Sequence, residues 1–247
     1  MSTEGAHPKL LPGFEMPLGG GMEAMMSILT VKEVSYIYRS KYQTVEAVSS
    51  VSCTFEMGSM YAIVGHSGSG KSTLLSLLAG LDLPTKGEIY LEDKPMSTLD
   101  RDQYRKETAS VVYQSFNLFP LLTALENVAY PMELRGISAK EASEKAKELI
   151  LSVGLEERIF KQLPLMMSGG EQQRIAVARA LATGGKILLA DEPTGNLDTE
   201  NGEIVVEILK SLAHARGYAV IIITHDRGIA DQADVVYTMK DGKLLMH

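Results

Sequence analysis

A single cysteine, Cys53, stands in a chain of 247 residues, so no internal disulfide can form. That usage fits a reducing compartment. No stretch approaches the ~20 consecutive apolar residues needed to cross a bilayer. The longest runs, such as "AVIIIT" (Ala219–Thr224), have the length of a strand. Basic residues are outnumbered, 24 against 31 acidic ones, for a net charge of -7. This balance argues against nucleic acid as the main partner, because a polyphosphate backbone repels an acidic surface. Residues 1–27 lack the basic n-region of a signal peptide, and Pro and Gly break their apolar stretches. They read as a disordered tail, or as sequence upstream of a natural start at Met22, Met25 or Met26. No internal repeat is visible.

What is present is apolar material, 45% of the chain. It suffices for one large domain, or one domain with a sizeable insertion. "ILTVKEVSYIY" (from Ile28) alternates as a strand does, and "VEAVSSVSCTF" follows suit. "MYAIVG" is a short apolar run opening into a loop, as a buried strand does. "GEIYLEDKPM" reads as a strand and turn, and "SVVYQ" (Ser110–Gln114) as another strand. From about Leu121 to Leu163 no strand is convincing. The pattern there is helical, divided at Gly136, with Ser138 and Glu141 spaced as a capping box. Strands return with "KILLAD", "AVIIIT" and "DVVYTMKDGKLLM", the last carrying the hairpin signal Asp241-Gly242. The expected architecture is α/β, with an antiparallel β region at the start and a mainly helical insertion at about 115–170.

Two motifs carry chemistry. "GHSGSGKST" fits G-x-x-x-x-G-K-[ST], with Gly65, Gly70, Lys71 and Ser72 at the fixed positions and His66, Ser67, Gly68, Ser69 and Thr73 completing the stretch. An apolar strand precedes it and an apolar helix follows. Such a loop turns its backbone N–H groups inward around an anion, and it runs into a helix N-terminus that favours negative charge. Lys71 would reach the β- and γ-phosphates, and the Ser72 hydroxyl would ligate Mg²⁺. "ILLADEP" (Ile187–Pro193) ends an apolar strand on two acids. Asp191 would hold Mg²⁺, directly or through water, and Glu192 would polarise the attacking water.

"SGGEQQR" (Ser168–Arg174) places two glycines at the mouth of a helical pattern. With the motifs above, in this order, it resembles the signature of the ATP-binding-cassette (ABC) ATPases. The resemblance runs from Ile28 to Met246 and implies a P-loop NTPase of the ABC nucleotide-binding type over residues 28–247. By that resemblance Tyr38, rather than Tyr36, stacks on adenine. Gln114 contacts Mg²⁺, His225 contacts the γ-phosphate, and Asp198, in "GNLD", crosses a dimer interface. Ser168, Gly169, Gly170 and Glu171 bind the ATP held by a second copy of the chain or a related subunit. ATP and Mg²⁺ are the implied ligands, and head-to-tail dimerisation the implied switch. Two departures stand out: Met167 replaces the usual Leu, a change of similar volume, and Glu171 replaces Gln, with its carboxylate expected to point away from the anion.

"QSFNLFPLLTALENVAYPMELRG", "ADEPTGNLD" and "THD" are similar to one branch, the ATPase subunits of lipoprotein-releasing, macrolide-exporting and antimicrobial-peptide-resistance systems. The cell-division ATPase that regulates wall hydrolases is a near relative and supplies the alternative reading, without transport. The branch implies an integral membrane subunit as partner and a peripheral place on the cytoplasmic face of the membrane. Phe116–Val128 is apolar enough to receive a partner's helix, or to fill the insertion's own core. The chain has one cassette and no long coiled-coil insertion, unlike ABC proteins acting on ribosomes or DNA.

Overall fold

The computed structural model describes residues 27–246; the expected tail lies outside the described residues, except for Ser27. That residue already pairs with Glu56, so the first strand begins one position inside the segment read as tail. The chain divides into two compact units, one helical over residues 118–182, the other made from the segments on either side.

The sheet unit holds two sheets. An antiparallel one runs β2-β1-β4-β5, formed by β1 (Ser27–Arg39), β2 (Thr44–Glu56), β4 (Lys86–Leu91) and the short β5 (Lys94–Pro95). The second is six-stranded, in the order β10-β9-β3-β8-β7-β6. Its members are β3 (Met60–Val64), β6 (Ala109–Tyr113), β7 (Ile187–Asp191), β8 (Ala219–Thr224), β9 (Val235–Lys240) and β10 (Lys243–Met246). All neighbours are parallel except β9 and β10, joined by the Asp241-Gly242 turn. Strands β3, β7 and β8 are covered on both faces, which is why they read as unbroken apolar runs. One core joins both sheets to helix α1 (Lys71–Leu78), whose Leu74, Leu75, Leu77 and Leu78 are buried. Phe55 meets Tyr61 and Tyr237 edge-on in that core. Helices α2 (Arg101–Glu107), α6 (Thr199–Arg216) and α7 (Arg227–Ala230) complete the unit.

In the helical unit α3 (Ala124–Leu134), α4 (Ala139–Ser152) and α5 (Gly169–Ala182) pack pairwise. Ser138 accepts from the Glu141 N–H, but the reciprocal capping box forms one helix earlier, at Thr123 and Glu126. Asn127 is buried and fully used. Its amide donates to the carbonyls of Phe119, Leu122 and Thr123 and accepts from the Phe119 N–H, so it sets the course of the loop entering α3. Among the described residues no helix is long and apolar enough to cross a membrane.

Candidate functional site

The parallel sheet sets up the site. Strands β3, β7 and β8 all point the same way, so the segments leaving them emerge at one edge. There an open cleft of about 1260 Å³ gathers Tyr38, Lys71, Ser72, Gln114, Asp191, Glu192 and His225. Every member of the phosphate loop from Gly65 to Thr73 lines it except Ser69. The Ser69 side chain is buried, and its backbone serves the loop instead, taking the His66 carbonyl and giving its own to the Gly242 N–H at 3.0 Å.

Lys71 is 8% exposed. Its ammonium donates to the carbonyls of Gly65 (2.7 Å) and His66 (3.0 Å), which holds the cation over the mouth of the loop. Asp191 ends β7 half-buried, hydrogen-bonded to the Ser72 hydroxyl. Burial and the adjacent Glu192 charge push the Asp191 carboxyl up, further than the Ser72 hydroxyl and the Lys71 ammonium pull it down. Among the described residues no three His, Cys, Asp or Glu side chains cluster as a metal cage. Asp191 and Ser72 bring two oxygen donors together in the cleft, a pair that fits a hard cation taking its remaining ligands from phosphate and water, as Mg²⁺ does.

Glu192 sits at φ 47, a left-handed conformation that costs of order 1–3 kcal/mol for a residue of this kind. Its N–H is anchored on the Ile223 carbonyl at 2.9 Å. Both carboxylate oxygens lie 2.9 Å from Nδ1 of His225, which is largely exposed. The base candidate thus has an orienting partner. Gln114 is fastened to the loop after β7: its amide donates to Asn196 Oδ1 at 3.2 Å, and Asn196 donates to the Gln114 carbonyl at 3.0 Å. That leaves the Gln114 Oε1 as the amide atom suited to a cation. The Tyr38 hydroxyl meets Thr73 at 3.2 Å, and its ring stands edge-on to Tyr36, 4.9 Å between centroids. Tyr36 itself is absent from the cleft lining.

The remaining candidates are absent from the cleft lining. Asp198 caps α6, accepting from the Asn201 N–H at 2.9 Å. Ser168, Gly169, Gly170 and Glu171 belong to the helical unit and form the first turn of α5. Met167 is buried, as the Leu it replaces would be. Glu171 folds back onto the Ser168 N–H rather than into solvent. Phe116–Val128 is divided in character. Ala124, Asn127 and Val128 are buried, while Phe119 is 43% and Leu121 87% exposed. Sequence reasoning missed Asn196, Asn127 and the guanidinium of Arg158 that meets Glu171. The Ser-x-x-Glu spacing within "SGGE" signals the Ser168–Glu171 cap, but none of these three partners has a signal in the sequence.

The family model described as "ABC transporter" matches residues 48–195. The macrolide export ATP-binding/permease protein MacB of Mannheimia succiniciproducens is 41% identical over 89% of this chain. The chain spans 34% of that relative's length. The lipoprotein-releasing system ATP-binding protein LolD of Idiomarina loihiensis is 41% identical over 88% of this chain and 96% of its own. Among solved structures, dimeric MJ0796 of Methanocaldococcus jannaschii, a bacterial-type ABC transporter cassette by its description, superposes with a TM-score of 0.81 at 38% identity, covering 87% of this chain and 96% of that one. The same cassette in a dimeric post-hydrolysis state bound to ADP and Pi gives 0.81 as well, at 37% identity over 88% and 98% of the two chains.

Proposed function

The chain belongs to the ABC transporter family, as one of its ATPase cassettes, and on that premise we propose that it hydrolyses ATP in the cleft to drive a separate membrane subunit. The observation that carries this reading is the convergence of Lys71, Ser72, Asp191, Glu192 and His225 at one sheet edge. Adenine stacks on Tyr38. The β- and γ-phosphates replace the Gly65 and His66 carbonyls as partners of the Lys71 ammonium, and the loop N–H groups and the start of α1 take the rest of the charge. Ser72, Asp191 and Gln114 would hold Mg²⁺, which supplies neutralisation of the phosphoryl oxygens when bound. Glu192, aligned by His225, accepts the proton of the attacking water.

The α5 turn at Ser168–Gly170 is not among the residues that line the cleft. It completes the site of a second copy or a related subunit, with Asp198 at the interface, so ATP joins two chains and hydrolysis releases them. The exposed Phe119 and Leu121 offer apolar contact to a helix of an integral membrane subunit of the export or mechanotransmission type. That contact would keep the chain peripheral, on the cytoplasmic face of the membrane.

Glu192→Gln tests the assignment. Hydrolysis should slow about 10²- to 10⁴-fold, a barrier increase of roughly 3–5 kcal/mol, while ATP binding persists and ATP-bound dimers accumulate. Retained turnover in this variant removes Glu192 as the base.

A further inference from the structure

A carboxylate stands on the turn that is to receive a phosphate. Glu171 follows Gly169 and Gly170 directly. Its Oε2 accepts from the Ser168 N–H at 2.8 Å, and its own N–H donates to the Ser168 hydroxyl at 3.2 Å. Its side chain is only 13% exposed, so solvent screens its charge poorly. Burial pushes the Glu171 carboxyl up, but the Ser168 N–H, the Arg158 guanidinium and the Ser168 hydroxyl together outweigh it, and the net direction is down. At neutral pH the turn therefore carries a full negative charge beside its anion-binding N–H groups.

Arg158 answers that charge. It comes from the 3-10 turn Glu157–Ile159, and its Nη2 donates to Glu171 Oε1 at 2.7 Å. Its Nε donates to Glu156 at 3.0 Å, which fixes the plane of the guanidinium. Arg174, the other cation nearby, is spent on carbonyls, those of Gly170 and Gly154. The Glu171 carboxylate is thus held at both oxygens, one on the helix start and one on Arg158.

We infer that Arg158 is a positioning residue of the signature turn: it pins the Glu171 carboxylate to the Ser168 N–H and offsets its charge, so that the Gly169 and Gly170 N–H groups accept the γ-phosphate held by the second chain. The inference rests on the proposed ATP-bridged dimer. Removing Arg158 leaves an uncompensated anion facing a phosphate, once per turn and so twice per symmetric dimer.

The test measures ATP·Mg²⁺-dependent dimerisation by sedimentation in the Glu192→Gln background, alongside binding of a fluorescent ATP analogue to the monomer. Arg158→Ala should weaken the dimer about 10- to 100-fold and leave monomer binding within about twofold. Adding Glu171→Gln to Arg158→Ala should restore the dimer, because the amide still accepts from Ser168 but carries no charge. Arg158→Lys should restore it in part. Glu171→Gln alone should dimerise at least as tightly as its parent, a readout that survives even if Arg158→Ala fails to fold. An unchanged dimer in Arg158→Ala, a deficit that Glu171→Gln leaves in place, or a weaker dimer in Glu171→Gln alone overturns the inference. If Glu192→Gln itself stays monomeric with ATP, the proposed dimer falls first and this inference falls with it.

Discussion

Two glycines of the phosphate loop share a positive φ but differ in what stands beside them, and the difference yields a quantitative expectation. Gly68 (φ +78) and Gly70 (φ +105) both occupy backbone conformations that side chains disfavour. A Cβ at Gly68 meets nothing within 4 Å; at Gly70 it meets the Ala47 carbonyl oxygen at 2.0 Å and Met239 Cε at 2.8 Å. For Gly68→Ala the left-handed conformation costs about 1–2 kcal/mol, partly offset by about 0.4–1 kcal/mol from a less flexible unfolded chain. Gly70→Ala bears at least that strain and must also displace β2, at an overpacking cost of about 1–3 kcal/mol or more. The second variant should thus be less stable than the first by about 2 kcal/mol, or roughly 1 M in urea midpoint at a slope near 2 kcal/mol/M. Urea titrations followed by circular dichroism measure both. Equal midpoints would refute the claim that the approach of Ala47, rather than dihedral strain, requires glycine at 70.

Two further outcomes follow from buried groups. Because the Asp191 carboxyl is pushed up in the fold, its ionisation opposes folding at every pH above the unfolded value of about 3.9. Asp191→Asn should therefore raise urea stability at pH 7, and the gain should shrink as pH falls through the raised folded-state value and vanish below about 4; a loss of stability at pH 7 would contradict the sign. Burial pushes the Cys53 thiol up to about 12. At pH 8 the folded chain should react with iodoacetamide on the order of 10³-fold more slowly than the chain in urea, and equal rates would show the thiol to be accessible as thiolate.

The parts of the structure legible in the sequence are those dictated locally. β3, β7 and β8 announce themselves because both faces are buried, and the phosphate loop because glycine, lysine and hydroxyl must stand at fixed spacing. The box at Thr123 is as readable as the spacing at Ser138, since Thr-x-x-Glu stands in "TALE". Asp198 was read for its interface, whereas its side chain is first of all the cap of α6. What stayed hidden depends on partners brought in by the fold. Gln114 and Asn196 are 82 positions apart and meet only because β6 and β7 are neighbours in the sheet. Asn127 looks like any polar residue in a helix until four bonds to one loop are seen to converge on it. The partition of Phe116–Val128 into buried and exposed members likewise follows from packing, which an apolar run cannot encode.

The Asp241-Gly242 hairpin has a consequence for the order in which the protein is made. The Gly242 N–H holds the Ser69 carbonyl, the Gly242 carbonyl holds the Ser49 N–H, and the Met239 carbonyl lies where any side chain at Gly65 would have to go. The back wall of the nucleotide loop is therefore supplied about 170 residues after the loop itself, some 10–35 s of synthesis at ordinary ribosomal rates. Until then the loop is a flexible glycine-serine segment whose N–H groups have no fixed direction. A nascent chain halted anywhere before β9 carries the whole phosphate motif yet lacks the frame that aims it, and should bind ATP more weakly than the finished cassette.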